Sequence, residues 1–205
     1  MLREVKMIYK ENFELALVSN SFARAEFLEA LKIKFLSLSV DIDEGSIMKS
    51  GEFGITKRIA VLKLTNAIEK YGKDKCLITV DTLLKNDSIY VGKLSDEKEA
   101  FSKIMGYSHK LIEVETSFCV FIPGREKIVK ACEVSFIKFR ELTPDIVYHY
   151  ISLGHWKDKA GGISLKNGVA DILIEYINGS YSNIIGLPIG LFYDILIREN
   201  VISTI

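Results

Sequence analysis

One aspartate stands where α/β proteins commonly place their chemistry. Asp81 follows directly on the apolar residues 76–80, which predict a short buried strand that ends at residue 80. Ligand-binding groups of α/β proteins gather at the carboxyl ends of strands, where a carboxylate can hold a metal ion or take a proton from water. The alternative interpretation is that Asp81 begins a turn or caps the next element.

A second group of carboxylates follows another predicted strand. The segment 35–40 alternates apolar and polar residues, and Asp41, Asp43 and Glu44 come after it. Magnesium prefers one or two carboxylates together with the phosphate oxygens of a substrate, so Glu44 and Asp81 would suffice for a site. A solvated acidic loop is the alternative.

Two further segments could bind an anion. Ser19 and Ser21 lie at a predicted strand-to-helix junction, and Arg24 follows one turn later, which is typical of a phosphate site but also of an ordinary N-cap. Asp158 and Lys159 precede the small residues 160–162, where phosphates could approach the backbone, although a plain loop has the same composition. Together these residues predict an anionic ligand, with a metal ion as a further element.

The elements that must position these residues alternate between strand and helix. Strand patterns at 14–19 and 35–40 and helix patterns at 21–32 and 56–71 precede the strand before Asp81, and two long β-rich segments follow at 111–122 and 127–139. A strand at 170–177 and a helix at 187–199 complete the pattern, which favours an α/β fold with a mixed sheet. We expect residues 1–205 to form a single domain with two lobes.

Composition excludes several classes of function. Lysine plus arginine number 27 and aspartate plus glutamate also number 27, so no global charge attracts nucleic acid or an acidic membrane. The longest apolar run, at 184–197, is too short to span a bilayer, and the N-terminus has no signal-peptide core; we therefore expect a cytoplasmic protein without membrane partners. Cys76, Cys119 and Cys132 predict buried, reduced thiols rather than a zinc site.

The assembled residues resemble the Maf (septum-formation) family of nucleoside-triphosphate pyrophosphatases. The family's opening motif, L-A-S-x-S-P-R-R-x-x-L-L, resembles L-V-S-N-S-F-A-R-A-E-F-L at 17–28. Its V-D-E, K-A and D-T-V-V motifs resemble the segments at 40–44, 63–64 and 81–84 in turn, and its G-K-P resembles G-K-L at 92–94. Near the C-terminus D-K-A-G is present at 158–161, and G-S-Y-S-N-I-I-G-L-P at 179–188 is similar to the family's last motif. The resemblance covers nearly the whole chain in the family's order.

The resemblance implies an elongated mixed sheet flanked by helices, with two lobes around a central cleft, as in inosine-triphosphate pyrophosphatases. It implies hydrolysis of a nucleoside triphosphate to its monophosphate and pyrophosphate, which removes non-canonical or excess nucleotides, and a homodimer is a further expectation. Asp81 would be the catalytic residue, and Asp81 with Glu44 would hold magnesium or manganese. The implied substrate-binding residues are Ser19, Ser21, Arg24, Lys63, Lys93, Asp158 and Lys159.

Base choice is where the chain departs from the family. The resemblance places the base-reading positions at Ala23, Thr82 and Lys166, and the family's arginine and glutamine are replaced at the first and third of these. A glutamine amide both donates and accepts, whereas a lysine only donates. The departures predict a base preference that is broadened or shifted from the dTTP/UTP type.

Two other functions fit the same residues. The first is a pyrophosphatase for damaged or modified purine nucleotides. The second is a nucleotide-binding regulator of cell division with little or no turnover, which the losses at Ala23 and Leu94 favour. Four residues are retained that argue against the regulator, namely Asp81, Lys63, Lys93 and Glu44, because a protein that only binds has less need of a water-activating carboxylate.

Overall fold

A computed structural model describes residues 9–49 and 54–204. The described residues form nine strands, which are β1 (Tyr9–Glu11), β2 (Leu15–Val18), β3 (Leu36–Leu38), β4 (Cys76–Asn86), β5 (Ile89–Val91), β6 (Leu111–Ile122), β7 (Lys127–Phe139), β8 (Ile174–Asn178) and β9 (Ile202–Thr204). They also form seven α-helices, which are α1 (Phe22–Ala30), α2 (Glu44–Lys49), α3 (Ile55–Tyr71), α4 (Glu97–Met105), α5 (Pro144–Ser152), α6 (Tyr181–Ile185) and α7 (Ile189–Arg198). A 3-10 segment spans Lys166–Ile172.

The main sheet is mixed, as predicted. Its strand order is β3-β2-β4-β6-β7-β8, with β5 paired to β4. The β2–β3 and β2–β4 pairs are parallel, whereas β4, β6, β7 and β8 pair antiparallel. β1 and β9 form a separate two-stranded sheet. The predicted α/β class and mixed sheet are confirmed.

The long strands connect two lobes. Along one face of β6, Ile112 and Val114 pack in a core with α4 and α5, while Phe118 and Val120 pack in a second core with α1 and α7. Buried Thr116 lies between the two cores on the same face. Twelve strand residues at roughly 3.3 Å per residue are long enough to serve both cores. On the opposite face, α3 covers β2, β4 and β6.

Three predictions about local structure are wrong. The strand that begins at Cys76 does not end before Asp81, because its antiparallel pairing with β6 continues to Lys85. The strand predicted at 170–177 begins only at Ile174, because residues 166–172 form the 3-10 segment, in which Asn167 has a left-handed φ of 63°. Cys132 is exposed, whereas Cys76 and Cys119 are buried, and all three thiols are free.

None of the helices in 9–49 and 54–204 combines the length and apolar character that crossing a membrane requires.

Candidate active site

The candidate site opens at a gap along one edge of β4. β2 pairs with β4 only as far as Thr79, and β5 pairs with it only from Leu84. Residues 80–83 between them pair with β6 on their other side. Their open edge borders a cleft of about 620 Å³, a volume typical of small-molecule sites. The gap follows the carboxyl end of β2, where parallel strands place ligand sites.

The cleft brings together residues from distant parts of the chain. All of the residues for which the family resemblance implies a role line it, namely Ser19, Ser21, Ala23, Arg24, Glu44, Lys63, Asp81, Thr82, Lys93, Asp158, Lys159 and Lys166. Asp41 and Asp43 do not line the cleft, so Glu44 alone of the acidic cluster reaches it. Lining the cleft does not assign a role to each residue, and the individual roles stay predictions.

A lysine links two carboxylates on the α3 side of the cleft. The Lys63 ammonium lies 2.9 Å from Asp81 Oδ1 and 2.6 Å from Glu44 Oε1. The Lys63 and Asp81 side chains are 13% and 7% exposed, whereas Glu44 is 42% exposed, so the cluster extends from the protein interior toward solvent. One cation facing two carboxylates leaves the cluster with a formal charge of −1.

Asp81 has unused capacity for a ligand. Its Oδ2 atom is buried and has no hydrogen-bond partner among the described residues. Burial raises the pKa of the Asp81 carboxyl, while the charge of Lys63 and its hydrogen bond act in the opposite direction. A buried carboxylate oxygen without a donor is costly, so Asp81 is the group in the cleft that most needs a proton, a water molecule or a metal ion.

Local structure fixes the positions of Lys63 and Glu44. On α3, Lys63 follows buried Ile59 by four residues, so both side chains lie on the face toward β4. Glu44 is the first residue of α2, and Asp43 Oδ1 accepts a hydrogen bond from the Ser46 amide at 3.1 Å, which caps that helix start.

The N-terminus of α1 faces the same cleft. Ser21 is the N-cap, and the first intrahelical hydrogen bond runs from the Ala25 amide to its carbonyl. The amides of residues 22–24 therefore lack intrahelical acceptors, which makes this helix start suited to a phosphate group. The Ser19 hydroxyl accepts from the Ser21 amide at 3.2 Å and holds the junction in shape.

Arg24 is already engaged by the protein. Its guanidinium donates to Gly186 O at 2.8 Å, to Thr82 Oγ1 at 3.0 Å, to Ser19 Oγ at 3.1 Å and to Val80 O at 3.3 Å. A guanidinium carries five N–H donors, so little capacity remains for a ligand. Burial lowers the pKa of Arg24, which Asp81 and Glu44 counteract by their charge. Arg24 joins α1 to β4 and to the end of α6.

Thr82 belongs to the same network, on the face of β4 opposite to Asp81. Its hydroxyl shares a hydrogen bond of 2.9 Å with Thr116, which in turn donates to Asn183 O at 3.0 Å. Asn183 is buried and donates its amide to Val114 O and Ser135 Oγ. This network places hydrogen-bonded polar groups at the boundary between the two cores. Asn183 Oδ1 is the exception, because it is buried and has no hydrogen-bond partner among the described residues.

Two glycines shape the loop that carries Asp158 and Lys159. Gly161 and Gly162 have φ values of 59° and 73°, and a Cβ atom would lie 2.3 Å from Leu84 in the first case. Their carbonyl oxygens accept hydrogen bonds from the hydroxyls of buried Tyr107 and Tyr150. The loop is thereby fixed from the core side.

The loop cations lie at the solvent side of the cleft. Lys93 Nζ is 3.9 Å from Asp158 Oδ1, and their side chains are 67% and 86% exposed. A pair this exposed contributes little to stability, so Lys93 can turn toward a ligand at small cost. The backbone bridge between Lys93 and Ala160 keeps Lys159 beside it.

A third group joins the first turns of α1 to Lys166. The Lys166 ammonium is 2.9 Å and 3.0 Å from the two carboxylate oxygens of Glu26 and 4.8 Å from the centre of the Phe22 ring. Sequence reasoning missed Glu26 and Phe22. The only available signal was their spacing of four residues on a predicted helix, which places them on one face.

The acidic cluster fits a hard divalent cation. Asp81 and Glu44 supply the one or two carboxylates that magnesium uses alongside substrate phosphates, and Asp81 Oδ2 has a free acceptor position. Within 9–49 and 54–204 there is no group of three or more His, Cys, Asp or Glu residues that could hold a metal ion. Asp81 and Glu44 could therefore supply only part of the coordination of such a cation, and other ligands would have to complete it.

The sequence was also compared with known proteins. A family model described as Maf-like protein matches residues 14–199. The chain is 34% identical over 179 residues to a protein of Pyrococcus furiosus named dTTP/UTP pyrophosphatase, a match that covers 86% of this chain and 90% of the relative. Proteins of the same name from Clostridium acetobutylicum and Aquifex aeolicus are 32% and 30% identical, covering 92% and 91% of this chain and 98% and 96% of the relatives.

Proposed function

The chain belongs to the Maf-like protein family, and on that premise we propose that it is a nucleoside-triphosphate pyrophosphatase of the dTTP/UTP type. The proposed reaction adds water across the α–β phosphoanhydride bond and yields a nucleoside monophosphate and pyrophosphate. The names of relatives that are 30–34% identical over most of both chains support this activity.

The observation that carries the proposal is the state of Asp81. One of its carboxylate oxygens is held by Lys63 at 2.9 Å, and the other is buried without a partner. The arrangement fixes the orientation of the carboxylate and leaves one oxygen available for a proton. A general base needs both features.

Each remaining group has a proposed part in the reaction. Asp81 orients the water and accepts its proton as the water oxygen bonds to the α-phosphorus and the bond to the bridging oxygen breaks. The amides of residues 22–24 and the ammonium groups of Lys63, Lys93 and Lys159 face the phosphates and stabilise the negative charge of the pyrophosphate that leaves. Because the guanidinium of Arg24 donates its hydrogen bonds to protein acceptors, we propose that Arg24 positions α1 against β4 and does not bind phosphate oxygens.

A divalent cation, magnesium or manganese, would be held by Asp81 and Glu44. When bound, such an ion offsets charge on the phosphate oxygens and lowers the pKa of a coordinated water. Lys63, which lies between these two carboxylates, would then exchange part of its contact with them for a phosphate oxygen. The homodimer and the cytoplasmic location stay predictions.

A pyrophosphate-release assay tests the proposal. Purified protein with magnesium is given UTP, dTTP, CTP, ATP, GTP and methylated triphosphates, and Asp81→Asn protein serves as the blank. We expect pyrophosphate from UTP and dTTP with wild-type protein only. Tight nucleotide binding without pyrophosphate release would instead support a regulator without turnover, and preferential cleavage of modified purines would support the clean-up alternative.

A further inference from the structure

The loop at 158–164, which we call the cation loop, has a backbone that needs support. Asp158, Gly161 and Gly162 have left-handed φ angles of 59°, 59° and 73°. Asp158 is exposed, whereas residues 161–164 are buried. Two adjacent glycines can adopt other φ values with little steric penalty, so the sequence of the loop does not by itself select this conformation. Contacts from the rest of the protein must select it.

Two tyrosine hydroxyls supply such contacts from the core that α4 and α5 help to form. Tyr107 donates to Gly161 O at 3.1 Å, and Tyr150 donates to Gly162 O at 2.9 Å. The Tyr150 hydroxyl also accepts from the Ser164 amide at 3.0 Å, so it joins two points of the loop. Both tyrosines are 0% exposed. A hydroxyl in an apolar core is costly unless it is hydrogen-bonded, so these two hydroxyls and the loop backbone depend on each other.

The cation loop also holds the segment that bears Lys93. The Gly161 amide donates to Gly92 O at 2.7 Å, and the backbone bridge between Lys93 and Ala160 lies beside this hydrogen bond. Gly161 is therefore tied to the Lys93 segment through its amide and to a tyrosine hydroxyl through its carbonyl. Lys159 is next to the bridge in sequence. A displacement of Gly161 would move both lysines, which line the cleft.

We propose that Tyr107 and Tyr150 are positioning residues, which hold the cation loop so that Lys93 and Lys159 meet the two phosphates that leave as pyrophosphate. The inference rests on the proposed function. Neither tyrosine lines the cleft, so both act through the loop backbone. The lysine side chains are flexible, but the backbone sets the region that their ammonium groups can reach. A misplacement of about 1 Å is enough to weaken such contacts strongly.

Inhibition by the two products tests the inference. Pyrophosphate should occupy the positions that face the lysines, whereas UMP should occupy the rest of the cleft. Tyr150→Phe should raise the KM for UTP and the inhibition constant of pyrophosphate about tenfold, and should change the inhibition constant of UMP less than about twofold. Tyr107→Phe should act in the same direction. Tyr148→Phe is the matched control, because Tyr148 is 59% exposed on the same helix as Tyr150, and it should change none of these constants.

A double substitution shows whether Tyr150 acts through the cation of the loop. Lys159→Met should by itself raise the inhibition constant of pyrophosphate. Tyr150→Phe should then have a smaller effect in Lys159→Met protein than in wild-type protein, because part of the contact that Tyr150 positions is already lost. Two effects that simply multiply would contradict the proposed role.

A purely structural role of the hydroxyls predicts a different result. In that case Tyr150→Phe lowers the melting temperature, but KM and both inhibition constants, measured well below that temperature, keep their wild-type values. Equal weakening of pyrophosphate and UMP inhibition would also overturn the inference.

Failure of the proposed function can be distinguished from failure of this inference. If no triphosphate releases pyrophosphate, the proposed function fails. Calorimetric binding of magnesium pyrophosphate to wild-type and Tyr150→Phe protein then decides the inference. Weaker binding to Tyr150→Phe would support it, whereas equal binding to both proteins, or no binding to the wild type, would overturn it.

Discussion

Two adjacent residues of β4 belong to opposite kinds of polar cluster. Asp81 faces α3, where Lys63 and Glu44 leave one carboxylate oxygen buried without a partner. Thr82 faces α1, and its hydroxyl is hydrogen-bonded to Arg24 and Thr116. The alternation of side chains along a strand separates the two clusters by a single residue.

The difference shows that some polar groups at the cleft stabilise the fold, whereas others remain available to a ligand. The side chains of Arg24 and Thr82 are hydrogen-bonded within the protein, so they contribute to the fold and fix the position of β4 relative to α1. The Asp81–Lys63 cluster keeps a polar atom unsatisfied, which costs stability but leaves a group ready for substrate. Substitutions in the two clusters should therefore affect different quantities.

The largest expected effect is on turnover at the unsatisfied cluster. Asp81→Asn should lower kcat about 100- to 10,000-fold, because the amide cannot accept the proton of the attacking water. The fold should survive, since an amide of the same shape keeps the contact with Lys63. Steady-state kinetics and circular dichroism check both statements, with exposed Asp171→Asn as the control. Near-normal turnover by folded Asp81→Asn protein would remove Asp81 from its assigned role.

Removal of metal should separate activity from stability at the same cluster. A chelator should lower hydrolysis about 100-fold or more, because several kcal/mol of charge stabilisation is lost. The melting temperature of the nucleotide-free protein should not change, since Lys63 already lies between the two carboxylates. Differential scanning fluorimetry with and without chelator gives the answer, and a large fall in melting temperature would indicate a structural metal instead.

A substitution of Arg24 should lower the stability of the fold. Arg24→Met removes four hydrogen bonds and leaves the carbonyl oxygens of Gly186 and Val80 without that donor, so the free energy of unfolding should fall by about 2–4 kcal/mol. Urea denaturation measures the change. Arg198→Met, in which the lost side chain is 66% exposed, should have little effect. Unchanged stability with a strongly raised KM would mean that Arg24 contacts phosphate.

The smallest effect is the stability cost of Asp81 itself. Because burial raises its pKa above the unfolded value, the native state binds more protons between those two values, and stability falls as pH rises through that interval. In the presence of a chelator, the free energy of unfolding of Asp81→Asn protein should therefore rise relative to that of the wild type as pH rises above about 4. Urea unfolding midpoints of both proteins, measured at a series of pH values, give this relative stability. A difference between the two proteins that does not change with pH would contradict the buried environment assigned to Asp81.

Much of the cleft could be predicted because its residues follow the ends of sequence-local elements. Ser19 and Ser21 lie between a strand and a helix, and Glu44 follows a strand, as their sequence neighbours indicate. The position of Asp81 was misjudged because strand pairing is made by backbone groups. The ladder with β6 continues through Asp81 opposite Ser117 although the apolar run has ended.

The contacts that sequence could not reveal are between residues far apart in the chain. Glu26 has no special local context, and only the fold places Lys166 beside it. The hydrogen bonds of Arg24 could not be predicted either, because its acceptors Ser19, Thr82 and Gly186 come from three separate segments of sequence. Residue type therefore predicted which groups line the cleft, whereas their partners decide which of them remain available to a ligand.

The central claim is that the protein adds water to the α-phosphorus of a nucleoside triphosphate. Hydrolysis of UTP in water enriched in oxygen-18, followed by mass spectrometry of both products, tests it most directly. We expect one labelled oxygen in UMP and none in pyrophosphate. Label in pyrophosphate would show attack at the β-phosphorus, and formation of UDP with orthophosphate would show cleavage of a different bond; either result would contradict the account.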